Sequence, residues 1–174
     1  EGLANTLIVF TSDHGDMMGD HHHWRKTYAY EGSARIPFVV QWPSAWGSDL
    51  PRGQVCHKPV ELRDIMPTLL DAAGVDIPDS VDGSSLLGLQ DGEPDGWREF
   101  VQGEHTTCYD HDHGMQYATD GQEKYIWFHH TDEEQFFDLR TDPGECKNLA
   151  ADASASSRMD VWRRRLAQVN EERG

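Results

Sequence analysis

Leu7-Ile8-Val9-Phe10-Thr11-Ser12-Asp13-His14-Gly15-Asp16-Met17-Met18-Gly19 is the stretch that decides the fold class of this chain. Its first four residues form a continuous apolar run, which breaks at once into Thr, Ser, Asp, His and Gly. A strand buried on both faces reads this way when it delivers polar groups at its C-terminal edge. A parallel-type strand of an α/β sheet is therefore expected, with ligands at that edge. Asp13 offers a hard carboxylate oxygen and His14 an imidazole nitrogen on neighbouring residues, and Gly15 permits a sharp turn that faces both towards one centre. That is half of a metal site. The dipeptide alone is also compatible with a plain polar turn, Asp13 capping the next element and His14 standing in water.

Working outward, Lys26 follows in Trp24-Arg25-Lys26-Thr27-Tyr28-Ala29-Tyr30-Glu31-Gly32-Ser33-Ala34-Arg35-Ile36-Pro37, ahead of a second apolar run, Phe38-Val39-Val40-Gln41-Trp42-Pro43. The string SDHGDMMGDHHHWRKTYAYEGSARIPFVVQWP resembles the type I sulfatases of the alkaline phosphatase superfamily, in their arylsulfatase and choline sulfatase branch. PVELRDIMPTLLDAAG and FFDLRTDPGECKNLA, in that order, carry the same resemblance over most of the chain. It implies that Asp13 and His14 ligate a divalent metal and that Lys26 contacts the sulfate of the substrate. A lysine ammonium suits that task as a mobile point charge with three donors. The implied metal is calcium, with manganese or zinc as alternatives because His14 stands where many sulfatases carry Asn and softens the ligand set.

The implied nucleophile is formylglycine, made from the Cys or Ser that opens a C/S-x-P-x-R motif. Neither Cys56, Cys108 nor Cys146 opens one, and no Ser-x-Pro-x-Arg string occurs. The family's upstream metal-binding aspartates have no counterpart either. The chain is thus expected to be the C-terminal part of a sulfatase-like enzyme, with the formylglycine in a missing N-terminal part and no turnover by itself. The resemblance leaves two other functions open: phosphonate monoester or phosphodiester hydrolysis, since those esters share the charge and shape of a sulfate ester, and a non-catalytic sulfatase-like binding module.

Composition bounds the partners. A chain of 174 residues with 37% hydrophobic content can build a real core. A net charge of −16 argues against nucleic acid and anionic membranes. No apolar run reaches the length of a membrane-spanning helix. Three cysteines without CxxC spacing indicate neither a disulfide framework nor a zinc knuckle. The expected partners are a small-molecule or sugar sulfate ester and, for the exposed sheet edge, the protein's own N-terminal half or an oligomeric copy.

The expected fold class is α/β. Residues 1–96 would form the C-terminal part of an alkaline-phosphatase-like sheet-and-helix core, and 97–174 a small α+β subdomain with a four-stranded antiparallel sheet and a C-terminal helix. In the first segment, Leu62, Ile65, Met66, Leu69, Leu70 and Ala73 recur at helical spacing, with Asp64 as N-cap, Pro67 in the first turn and Gly74 as C-cap. In the second, strands are expected over 98–103, 115–119, 124–129 and 135–139, then a helix with Met159, Trp162, Leu166 and Val169 on one face and a Ser157/Asp160 capping box. Arg163-Arg164-Arg165 reads as a solvated helix face.

Three further histidine-bearing stretches are candidates. In His21-His22-His23, consecutive residues cannot all face one ion, so a cleft or surface role is expected, with His22 a candidate substrate contact. Glu104 and His105 end a strand and are candidate substrate contacts, a polar hairpin loop being the alternative. Asp110-His111-Asp112-His113 has metal-binding composition, but alternate residues of an extended chain face opposite ways.

Overall fold

The computed structural model describes residues 2–47, 52–89, 96–107 and 110–173; Cys108 lies outside them. The chain divides into two compact units, residues 1–13 with 37–99 and residues 14–36 with 100–174. Residues 14–36 group with the C-terminal sheet.

In the first unit, β1 (Ile8–Thr11) pairs with β2 (Phe38–Gln41). The pairing is antiparallel, Phe10 opposite Val39 and Ile8 opposite Gln41, which corrects the parallel expectation. Four apolar residues in a row do not encode strand direction. A parallel pair needs a long crossover, usually helical, and the longest helix between these strands is α1, Glu31–Ala34. A 3-10 turn over Leu62–Asp64 runs into α2, Ile65–Ala72. Gly74 ends α2 at φ +68, with its N–H donated to the Asp71 carbonyl and that of Val75 to Leu70, a Schellman closure.

Asp64 is not the cap it was expected to be. Glu61 precedes the turn and donates its N–H to Asp64 Oδ2 at 2.9 Å, while the fully buried Asp64 carboxylate takes both Arg98 nitrogens at 2.5 and 2.6 Å and the Ser84 N–H at 2.9 Å. That bidentate pair and its added amide donors satisfy a charge that would otherwise be costly to bury. The buried face of α2 consequently carries Pro67 and Thr68, whereas Met66 and Leu69, expected to cover a sheet, are 49% and 48% exposed. Residues 54–60 are irregular.

The second unit holds the expected meander, β3 (Val101–His105), β4 (Met115–Thr119), β5 (Glu123–Phe128) and β6 (Glu133–Asp138), antiparallel and in sequence order. Alternation sorts its side chains onto two faces. On one, Ala118, Tyr125 and Phe136 pack with Ala155, Met159, Trp162 and Leu166 of the C-terminal helical segment. On the other, Met115, Ile126, Phe128, Phe137 and Leu139 pack with Ala29, Tyr28 and Tyr30 of the 14–36 segment. α3 (Ser156–Arg173) follows a 3-10 turn over Ala153–Ala155. The cap is Asp152, whose Oδ1 accepts the Ser154 N–H at 2.9 Å, instead of the expected Ser157/Asp160 box; Asp160 accepts from Arg163. Arg163 is also held by Glu134, and Arg165 lies over the Phe100 and Trp162 rings, so two of the three arginines expected in solvent are engaged by the sheet face.

Candidate active site

Asp13 follows Ser12 at the end of β1, exposed, and is the last residue of the first unit. His14 opens the segment that belongs to the second unit. Its Nδ1 lies 2.7 Å from the carbonyl oxygen of Gly15. A carbonyl only accepts, so Nδ1 is the donor in this bond. This is how histidine ligands are prepared in metal sites, where the second nitrogen donates to a fixed acceptor. A carboxylate and an imidazole are donors of the kind a divalent cation takes. Among the described residues no group of three or more His, Cys, Asp or Glu side chains is placed to hold one.

Gly15 has a different reason from the expected sharp turn. Its N–H donates to the Ser33 carbonyl at 2.9 Å, and a Cβ on it would stand 2.1 Å from the Gly32 carbonyl oxygen. Any larger residue would push the backbones of 14–15 and 32–33 apart.

Lys26 is exposed, between Arg25 at φ +70 and Thr27 at φ +118. Met18, His21 and His22 also have positive φ, an unusual concentration of left-handed backbone at non-glycine residues. The segment is closed on itself by Asp16, whose Oδ1 accepts the Met18 and Arg25 N–H groups at 2.9 and 3.1 Å, and by the Met17 N–H bonded to the Arg25 carbonyl. Met17 is buried beneath it. Strained backbone of this kind persists where its surroundings over-determine it, a common property of ligand-binding loops.

The histidine run divides. His21 stacks on Tyr30 at 4.0 Å and its Nε2 bonds the Gly144 carbonyl; His23 stacks on Tyr28 at 3.9 Å. Burial, then His113, His21 and His22, hold His23 below the usual imidazole pKa. His22, the one named as a substrate contact, is the exposed member. Glu104 and His105 are consecutive in β3, so their side chains leave the sheet on opposite faces; Glu104 lies near Gln116. Asp110 caps a 3-10 turn over His111–His113. Arg35 pairs with Glu31 at 3.3 Å.

The sequence reading missed the group that fastens this segment to the sheet. Lys124, fully buried, is bonded to Glu31 and Glu145 at 2.7 Å each. One signal pointed to it: in Lys124-Tyr125-Ile126-Trp127-Phe128 the lysine shares the alternating face of Ile126 and Phe128. A lysine on an apolar face needs carboxylate partners.

Comparison with known proteins shows the family. Residues 19–172 match the family model of the N-sulphoglucosamine sulphohydrolase C-terminal region. An arylsulfatase of Clostridium perfringens is 45% identical over 173 residues, covering 98% of this chain and 35% of the relative. Among solved structures, the phosphonate monoester hydrolase of Agrobacterium radiobacter superposes with a TM-score of 0.78 at 30% identity, over 97% of this chain and 36% of its own. A protein solved with its substrate D-glucosamine-2-N,6-O-disulfate superposes with a TM-score of 0.78 at 26% identity, over 97% of this chain and 35% of its own. The chain spans about a third of the length of the relatives it matches.

Proposed function

This chain belongs to the sulfatase family, as part of its C-terminal region, and from that premise we propose that the full-length protein is a metal-dependent sulfatase cleaving a sulfate monoester. The observation that carries the reading is the 45% identity to an arylsulfatase over 173 residues, in a chain whose His14 holds its Nδ1 2.7 Å from the Gly15 carbonyl, the second-nitrogen bond of a histidine ligand. Calcium is the proposed metal, manganese or zinc the alternatives. The metal and a formylglycine from the remaining part of the protein supply polarisation of the sulfate oxygens and attack on sulfur.

The chain's own residues have narrower tasks. Asp13 and His14 hold the cation, a charged and a neutral ligand. Lys26, exposed on a segment of fixed backbone, brings an ammonium to the transferring group, where charge grows as the ester bond breaks. His22, Glu104 and His105 are proposed to contact the leaving group. A sugar sulfate fits as substrate, by analogy with the relative solved with a glucosamine disulfate. The exposed apolar face of β1 and β2, with Phe10 and Val39 opposite one another, is assigned to the remainder of the same protein.

A second reading keeps the site and changes the ester. The 30% identity to a phosphonate monoester hydrolase favours it, because a phosphonate monoester and a sulfate ester present similar charge and shape to Asp13, His14 and Lys26. The deciding experiment offers the full-length protein 4-nitrophenyl sulfate and a 4-nitrophenyl phosphonate monoester, before and after chelation. Sulfate turnover that chelator abolishes and calcium restores is expected. Preference for the phosphonate would favour the second reading, and no turnover of either ester would defeat both.

A further inference from the structure

We propose that Lys124, Glu31 and Glu145 are positioning residues that hold the backbone carrying His14, an assignment that rests on the sulfatase reading above. Lys124 Nζ, with no exposed surface, donates to Glu31 Oε1 and Glu145 Oε1, and the second oxygen of Glu145 accepts the Glu31 N–H at 2.6 Å. Three segments meet there: β5, the start of α1, and the turn before Cys146. Burial pushes the Glu145 carboxyl above its ordinary pKa, and Lys124 opposes that shift.

A buried ion cluster of this kind is a poor source of stability, since apolar replacements of similar volume often serve as well. Its geometry serves orientation instead. The residue after Glu31 is Gly32, whose carbonyl sits against Gly15 so closely that no Cβ fits between them, and Ser33 accepts the Gly15 N–H. Gly15 in turn accepts the Nδ1 proton of His14. A fixed path of short contacts thus runs from a lysine in the C-terminal sheet to the imidazole. Beside the triad the segment has two further ties, the Tyr30 hydroxyl donating to Gln135 and His21 Nε2 bonded to the Gly144 carbonyl. The five left-handed residues between Met18 and Thr27 need such docking to persist. Loss of the triad should therefore free α1 and the 14–17 backbone while β4 and α3 stay folded.

The test uses the full-length protein with Glu145→Gln, and a charge-free triple variant, Glu31→Gln with Lys124→Met and Glu145→Gln, which leaves no unpaired buried charge. Hydrogen exchange read by mass spectrometry over residues 14–20, 28–36 and 158–169 is combined with calcium titration by calorimetry and with aryl sulfate kinetics. Both variants should exchange about tenfold faster over 14–20 with 158–169 unchanged. Their calcium dissociation constant should rise about tenfold, the usual cost of losing support behind a metal ligand, and kcat should fall with KM held within about twofold. Wild-type exchange over 14–20 in either folded variant would overturn the proposal, as would a kinetic defect confined to KM. If the unaltered protein binds no divalent cation and cleaves no ester, the sulfatase reading fails, and the exchange measurement by itself still decides whether the triad positions residues 14–17.

Discussion

The two units solve the burial problem in opposite ways. Residues 14–36 with 100–173 cover both faces of a four-stranded sheet, α3 on one and the tyrosine-bearing segment on the other, and their core side chains Ile126, Phe136, Trp162 and Met159 are shut from solvent. Residues 2–13 with 37–99 leave Phe10 64% and Val39 57% exposed on a two-stranded ladder, and expose an apolar stripe on α2 at Met66 and Leu69. Two strands with one bare face are marginal by themselves. The first unit is rigid at its polar heart, where Asp64 grips Arg98, and unfinished at its apolar rim; the second is finished on both sides. An unfinished apolar face signals a partner more reliably than any single exposed residue does.

The largest effect should come from the residues that divide between the units. In the full-length protein Asp13→Ala should lower metal content and cut kcat/KM by about 10³-fold, while Lys26→Ala should keep the metal and lose about 10²-fold in kcat. Metal analysis beside aryl sulfate kinetics reads both, and identical phenotypes would break the division of labour. Next comes the finished core: Trp162→Ala should cost about 3–5 kcal/mol in urea unfolding of this chain, since it empties the centre of the α3 face. A cost under about 1 kcal/mol would show that this unit is as loosely packed as the other.

Acid sharpens the contrast further. Arg140 and then Arg158 hold the Asp138 carboxyl below its ordinary pKa, and Arg163 does the same for Glu134. Carboxyls depressed in the folded state contribute stability that is complete above the unfolded range and drains as pH falls through the folded values. The second unit should therefore lose stability progressively below about pH 4, with Asp138→Asn flattening that slope. Glu145, raised by burial, acts in the reverse sense: its contribution is present at low pH and is lost as pH rises through its folded pKa. A urea midpoint independent of pH from 5 to 2 would contradict this account; that range is about the span of ordinary and depressed carboxyl values. The smallest effect belongs to Phe10. Phe10→Ala should change the stability of this chain alone by no more than about 0.5 kcal/mol, as exposed positions do. In the full-length protein the same change should cost about 3 kcal/mol if that face is covered. Equal small costs in both would mean that nothing docks there.

What the amino-acid pattern determined by itself was local. Alternation across 115–139 and helical spacing across 159–169 specify the meander and α3 because side-chain period alone decides which backbone buries those residues. Gly74 ends α2 because it adopts φ +68 without a Cβ clash. Asp13, His14 and Lys26 were legible as candidates because motif and residue chemistry sit within a short stretch. Tertiary structure decided what depends on contacts between distant residues. The direction of β1 against β2 rests on register, to which a four-residue apolar run is blind. The buried side of α2 was chosen by Asp64, which Arg98 reaches from 34 residues away. The 14–36 segment belongs to the C-terminal sheet because Glu31 meets Lys124 across 93 residues and Glu145 across 114. No sequence window spans such distances, and only the folded chain brings those charges close enough to satisfy one another without water.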